Sequence, residues 1–122
     1  MKQKIAVIDY QLGRLEPLRQ LLAGAGYEVL PILIEEGTYY ESINKVKVFG
    51  PDLILTVHVL GIDGVNGSHV SRALDLPKTR LVGTDESKVA QPYCAARFDI
   101  KGVHASDSSK RKFIAFIKAA LS

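Results

Sequence analysis

Short apolar runs alternate with amphipathic stretches along the 122-residue chain. Lys4 to Ile8 reads as a strand, because Ile5 to Ile8 is a continuous apolar run, as suits a parallel strand covered on both faces. Leu15, Leu18, Leu22 and Ala25 then recur at helical spacing. Pro17 is expected in the first turn of that helix, where its missing N–H costs little, and Gly26 after its last periodic residue. Glu28 to Ile34 is a second strand, and Pro31 within it suits a sheet edge. Thr38 and Glu41 have the spacing of a capping box before a helical stripe of Tyr39, Ile43 and Val46. Leu53 to Val59 is a third strand, and Leu60 to Gly67 a loop punctuated by glycines 61, 64 and 67. Ser68 opens a short helix through Leu74. Arg80 to Gly83 and Ala96 to Ile100 are the fourth and fifth strands. A cap within Ser106 to Ser109 starts a last helix with Phe113, Ile117, Ala120 and Leu121 on one face.

Five strands alternating with helices predict an α/β fold: a parallel sheet with helices on both faces and right-handed crossovers. An edge second strand agrees with the order 2-1-3-4-5 of flavodoxin-like sheets, whose functional crevice lies at the carboxyl ends of the strands. The residues expected to converge there are Asp9 and Tyr10, Thr56 to His58 with Asp63, Thr84 and Asp85, and Lys101 with His104. The length fits one domain over residues 1–122. A single cysteine, Cys94, excludes an internal disulfide and a cysteine-based zinc site, and a cytoplasmic setting is the simplest expectation. The longest apolar run, Val29 to Ile34, is far short of the ~20 residues of a membrane span. The net charge of +3 is dispersed apart from Lys110, Arg111 and Lys112, which argues against nucleic acid as a partner.

Four segments, taken in order, make the chain resemble the receiver domain of bacterial response regulators along nearly its whole length. They are Lys4-Ile-Ala-Val-Ile-Asp9, Leu21-Leu-Ala-Gly-Ala-Gly-Tyr-Glu-Val29, the pair Pro51-Asp-Leu-Ile-Leu55 and Gly61-Ile-Asp-Gly64, and Ser106 to Leu121. The resemblance implies phosphoryl transfer from a histidine kinase to an Asp at the end of the third strand. It also implies an acidic pair after the first strand that holds magnesium. Asp9 matches the first acid, but Tyr10 stands at the second, and a phenol with a pKa near 10 is a poor magnesium ligand. The phosphoacceptor falls on Thr56 or Val57, depending on the side from which it is counted, and neither is a carboxylate. Thr84 matches the switch hydroxyl, Phe98 the switch aromatic and Lys101 the lysine after the fifth strand, where a salt bridge to Asp9 is one reading and a bare loop lysine the other. Gly102 replaces the proline that normally follows, which puts the family's cis peptide there in doubt. The short stretch from Thr84 to Phe98, with Pro92, implies a truncated or irregular fourth helix, and so changed partners.

Outside that likeness, His58 is a candidate for crevice chemistry or for a buried, hydrogen-bonded histidine, and the glycine loop is a set of turns or an anion cradle. Neither a Walker lysine nor a nucleotide fingerprint is present. Ile8-Asp-Tyr-Gln-Leu-Gly13 looks like the opening of class I glutamine amidotransferases. However, Cys94 lacks the glycine-flanked elbow and His104 is not followed by the required acid, so that activity is rejected. The sequence therefore points to a pseudo-receiver: a non-enzymatic, phosphorylation-independent signalling module that acts on a protein partner, with no cofactor and no metal. Dimerisation through the face of the fourth and fifth helices is an expectation by analogy alone. The alternative is a small-ligand or anion sensor in the crevice, with donors from Arg14, Lys101 and the glycine loop around Asp63 and Gly64, and polar contacts from Asp9 and His58.

Overall fold

The computed structural model describes residues 2–35, 37–57, 59–62, 65–75, 77, 80–84, 94, 96–100 and 102–122, with the backbone alone for 59–62, 65–68 and 97. In chain order the elements are β1 (Lys4–Asp9), α1 (Leu12–Gly24), β2 (Glu28–Leu33), α2 (Tyr39–Phe49), β3 (Leu53–Thr56), β4 (Val59–Ile62), β5 (Val65–Asn66), α3 (Gly67–Leu74), β6 (Leu81–Gly83), β7 (Ala96–Arg97), a 3-10 turn (Val103–Ala105) and α4 (Asp107–Leu121). The main sheet is parallel, in the order β2-β1-β3-β6-β7. Its weight lies on β2, β1, β3 and β6, since β7 adds only two residues at the far edge.

Strand composition explains the layers. β1 and β3 are apolar at successive positions, so each presents a hydrophobic side chain to both faces. On one face Ala6, Ile8, Ile32 and Ile54 pack against Ile43 and Val46 of α2 and Val70 and Leu74 of α3. On the other, Ile5, Val7, Leu53, Leu55 and Val82 pack against Leu15, Leu18 and Leu22 of α1 and Phe113 and Ile117 of α4. The expected parallel α/β sheet with helices on both faces is present.

The edge role of Pro31 follows from backbone parity. The N–H groups of Glu28 and Ile34 donate inward to the Gln3 and Asp9 carbonyls. Alternation therefore turns residues 29, 31 and 33 outward, and Pro31 removes the central outward donor, which blunts the edge against pairing with another chain.

Four expectations are corrected. The third strand does not reach Val59: it ends at Thr56, and Val57 packs in the same core as Ile54, three residues back, so strand alternation stops there. The Leu60–Gly67 loop is replaced by an antiparallel hairpin, with Val59 opposite Asn66 and Ile62 opposite Val65, followed directly by α3. α1 begins at Leu12, so Pro17 lies inside the helix and not in its first turn. Thr38 makes no side-chain cap: its backbone is not extended (φ −114°, ψ 7°), and its hydroxyl donates back to the Glu35 carbonyl at 3.2 Å. The Ser106 cap of the last helix does form, its Oγ accepting from the Ser109 N–H at 3.1 Å.

Candidate functional site at the carboxyl ends of the strands

β1 and β3 are neighbours in the sheet, with Ile8 opposite Thr56, and the next residue of each opens the crevice. At the end of β1, Asp9 is a carboxylate only 1% exposed. It is held by four donors. One oxygen accepts from the N–H of Tyr10 at 2.7 Å, from the N–H of Gln11 at 3.1 Å and from Arg14 Nη2 at 2.7 Å. The other accepts from Arg14 Nε at 3.0 Å. These match the roughly four acceptor sites of an ionised carboxylate, and the arginine contact is the bidentate kind that fixes geometry as well as charge.

The same contacts explain the early start of α1. Asp9 orders the N–H groups of Tyr10 and Gln11, and the Gln11 carbonyl accepts from the N–H of Arg14 and of Leu15. The helix therefore starts ahead of its buried leucine stripe, at the exposed Leu12, and that first turn carries Arg14 back over Asp9. The guanidinium also lies 5.0 Å from the centre of the Tyr10 ring, a cation–π contact, while Tyr10 packs on the α2/α3 core. Its hydrogen bonds to Asp9 hold the Arg14 pKa above the ordinary value, and partial burial opposes them.

At the end of β3, Thr56 and Val57 are both buried. The Thr56 hydroxyl donates to the Val57 carbonyl at 3.0 Å, and the Val57 N–H donates to the Ile8 carbonyl. Thr84, also buried, follows β6 and donates its N–H to the Thr56 carbonyl at 3.0 Å. Phe98 lies further along the same edge, its N–H on the Gly83 carbonyl and its ring 5.2 Å from Phe113 and 4.9 Å from Phe116. The aromatic position is thus seated on α4. His104 stands exposed in the 3-10 turn, whose leading Gly102 has φ +77°, a conformation that proline cannot take. No described peptide bond is cis.

The structure therefore brings Asp9, Tyr10, Arg14, Thr56, Val57 and Thr84 to one end of the sheet. His58, Asp63, Gly64, Asp85 and Lys101 lie outside the described residues, as do residues 85–93 of the stretch expected to hold a short fourth helix. The pairing of Asp9 with Arg14 was not foreseen. Its signal is an Asp at a strand end followed five residues later by an Arg in the first turn of a helix.

These residues do not fit a magnesium ion. The ion asks for several oxygen ligands, whereas here one carboxylate is saturated by N–H donors and neutralised by a guanidinium, beside a phenol and two strand-end residues without carboxylates. No group of three or more His, Cys, Asp or Glu among the described residues is placed to hold a metal. No helix among them is long and apolar enough to cross a membrane.

No protein-family model and no curated protein matches the chain. Solved structures do. The signal receiver domain of an HD domain-containing protein from Pseudomonas fluorescens Pf-5 superposes with a TM-score of 0.70 at 14% identity, covering 99% of this chain and 95% of that one. The receiver domain of the hybrid histidine kinase CckA gives 0.67 at 16%, covering 98% and 99%. The N-terminal domain of a response regulator receiver protein from Methanoculleus marisnigri JR1 gives 0.61 at 14%, covering 98% and 96%. The chain has the fold of response-regulator receiver domains over nearly its full length.

Proposed function

We propose that the chain is a pseudo-receiver: a single-domain signalling module that works by protein–protein contact and not by phosphorylation, and that carries no enzymatic activity of its own. The observation behind this reading is the Asp9–Arg14 ion pair at 2.7 Å, next to a β3 end whose described residues are Thr56 and Val57. Phosphoryl transfer to a carboxylate needs an acceptor acid and a cation that neutralises the moving charge. Here the acceptor position is a hydroxyl or an alkyl group in the core, and Asp9, the carboxylate among the described crevice residues, already has its cation. A receiver-like frame without that chemistry still presents surfaces, and any switching then has to come from a partner that prefers one of two states.

The reading is tested by incubating the protein with acetyl phosphate and magnesium and recording its intact mass. The unmodified mass alone is expected. A stoichiometric phosphoryl adduct would overturn the proposal.

The sensor reading, a small anion held in the crevice, is disfavoured by the same ion pair, because Arg14 is engaged by Asp9 rather than turned toward an incoming ligand.

A further inference from the structure

The outer surface between α1 and α4 carries a feature unrelated to the crevice. The two helices leave a groove of about 490 Å³. Its floor is half-buried and apolar, with Leu21 from α1 and Ile114 from α4. Its rim is cationic, with Lys110, Arg111 and Lys118 lining it and no carboxylate among the lining residues. The described ion pairs, Arg14–Asp9 and Arg19–Glu16, involve none of these three cations.

Spacing gives the groove an axis. Lys110, Ile114 and Lys118 follow one another at four-residue intervals on α4. They therefore form a cation–apolar–cation ridge about 12 Å long, or roughly two helical turns. Opposite that ridge, Gly24 keeps the α1 wall low: a Cβ added there would meet nothing within 4 Å. A charged rim around a short apolar floor matches the pattern of helix-in-groove recognition, in which one apolar anchor gives affinity and flanking charges give register.

We propose that this groove docks a short acidic amphipathic helix of a partner protein. One apolar side chain seats between Leu21 and Ile114 beside Gly24, and carboxylates one turn before and one turn after it lie over Lys110 and Lys118. The proposal rests on the reading of the chain as a protein-contact module. Charge complementarity selects the partner, since three cations in one apolar groove disfavour a basic or neutral helix.

The test uses the full chain and a labelled synthetic helical peptide with Glu, Leu and Glu at four-residue intervals on one face. Two controls accompany it: a scrambled peptide of the same composition, and one with Lys in place of Glu. Fluorescence anisotropy and amide NMR give the readouts. Saturable binding of the Glu peptide is expected, with shifts confined to residues near Leu21, Gly24 and Ile114. Lys110→Glu with Lys118→Glu is expected to weaken it at least about tenfold. Gly24→Leu is expected to abolish it while leaving the thermal midpoint unchanged or raised, because leucine is the better helix former and open space receives it.

Equal binding of the scrambled peptide, or no shift up to ~1 mM peptide, overturns the proposal. So does preferential binding of RNA or anionic vesicles that Lys110→Glu abolishes. A sedimentation mass above the monomer that Gly24→Leu restores to monomer assigns the groove to a second copy and overturns it too. None of these outcomes depends on the phosphorylation result, so this surface and the pseudo-receiver reading fail separately.

Discussion

The neighbouring ends of β1 and β3 have opposite chemistry on the same scaffold. The β1 end keeps a buried carboxylate and surrounds it with donors. The described residues of the β3 end carry no charge: a threonine bonded to the next residue and a valine in the core. A buried charge is tolerable only when it is paired and hydrogen-bonded, so Asp9 organises its surroundings, whereas Thr56 makes little demand on its own. A buried carboxylate ringed by donors at one strand end, beside an uncharged threonine and valine at the next, fits a structural role for Asp9. It fixes the start of α1 and the position of Arg14.

Substitutions sharpen this contrast. Asp9→Ala has the largest expected effect: it leaves the N–H groups of Tyr10 and Gln11 and the Arg14 guanidinium without their acceptor, and should cost about 2–4 kcal/mol in urea unfolding. Arg14→Ala removes one partner of a pair whose arginine side chain is 37% exposed, so solvent screening and the remaining N–H donors soften the loss to about 1–3 kcal/mol. Thr56→Val, at the uncharged end, should stay within about 1 kcal/mol, since it removes one local hydrogen bond and keeps the shape. A Thr56→Val loss equal to that of Asp9→Ala would break the comparison.

The smallest effect concerns pH. Partial desolvation of this mostly exposed ring pushes the His104 imidazole below its ordinary value of 6.5, and Lys110 pushes it the same way. The unfolded chain then binds the proton more readily than the folded one, so stability falls as pH drops through 6.5 and levels off below the folded value. His104→Gln should flatten that slope. The difference is small because the ring is exposed, and urea midpoints at about pH 7.5 and 5.5 check it.

Much of the frame is legible in the sequence where periodicity is strong. The apolar runs of β1 and β3, the Leu15–Leu18–Leu22 stripe and the Phe113–Ile117 face all pack as the pattern implies. Boundaries fail where a proline or a glycine reads as punctuation. Pro17 reads as a first-turn residue, which places the start of α1 too late and hides the contact of Arg14 with Asp9. Glycines 61, 64 and 67 read as loop punctuation, so the third strand is carried on to Val59 and the β4–β5 pair is read as a loop. The Asp63-Gly64 dipeptide between Ile62 and Val65 is the sequence signal for pairing β4 with β5. Thr38 shows the converse: the capping-box letters are present, but the local backbone turns the hydroxyl the other way.

The account rests on Arg14 standing in for a metal cation at Asp9. The most direct measurement follows the backbone amide signals of Tyr10 and Gln11, which donate to that carboxylate, by NMR during a magnesium titration. Both signals are expected to stay fixed in the native protein and to move in Arg14→Ala, where the carboxylate has lost its resident cation. Saturable movement of both signals in the native protein would contradict the account.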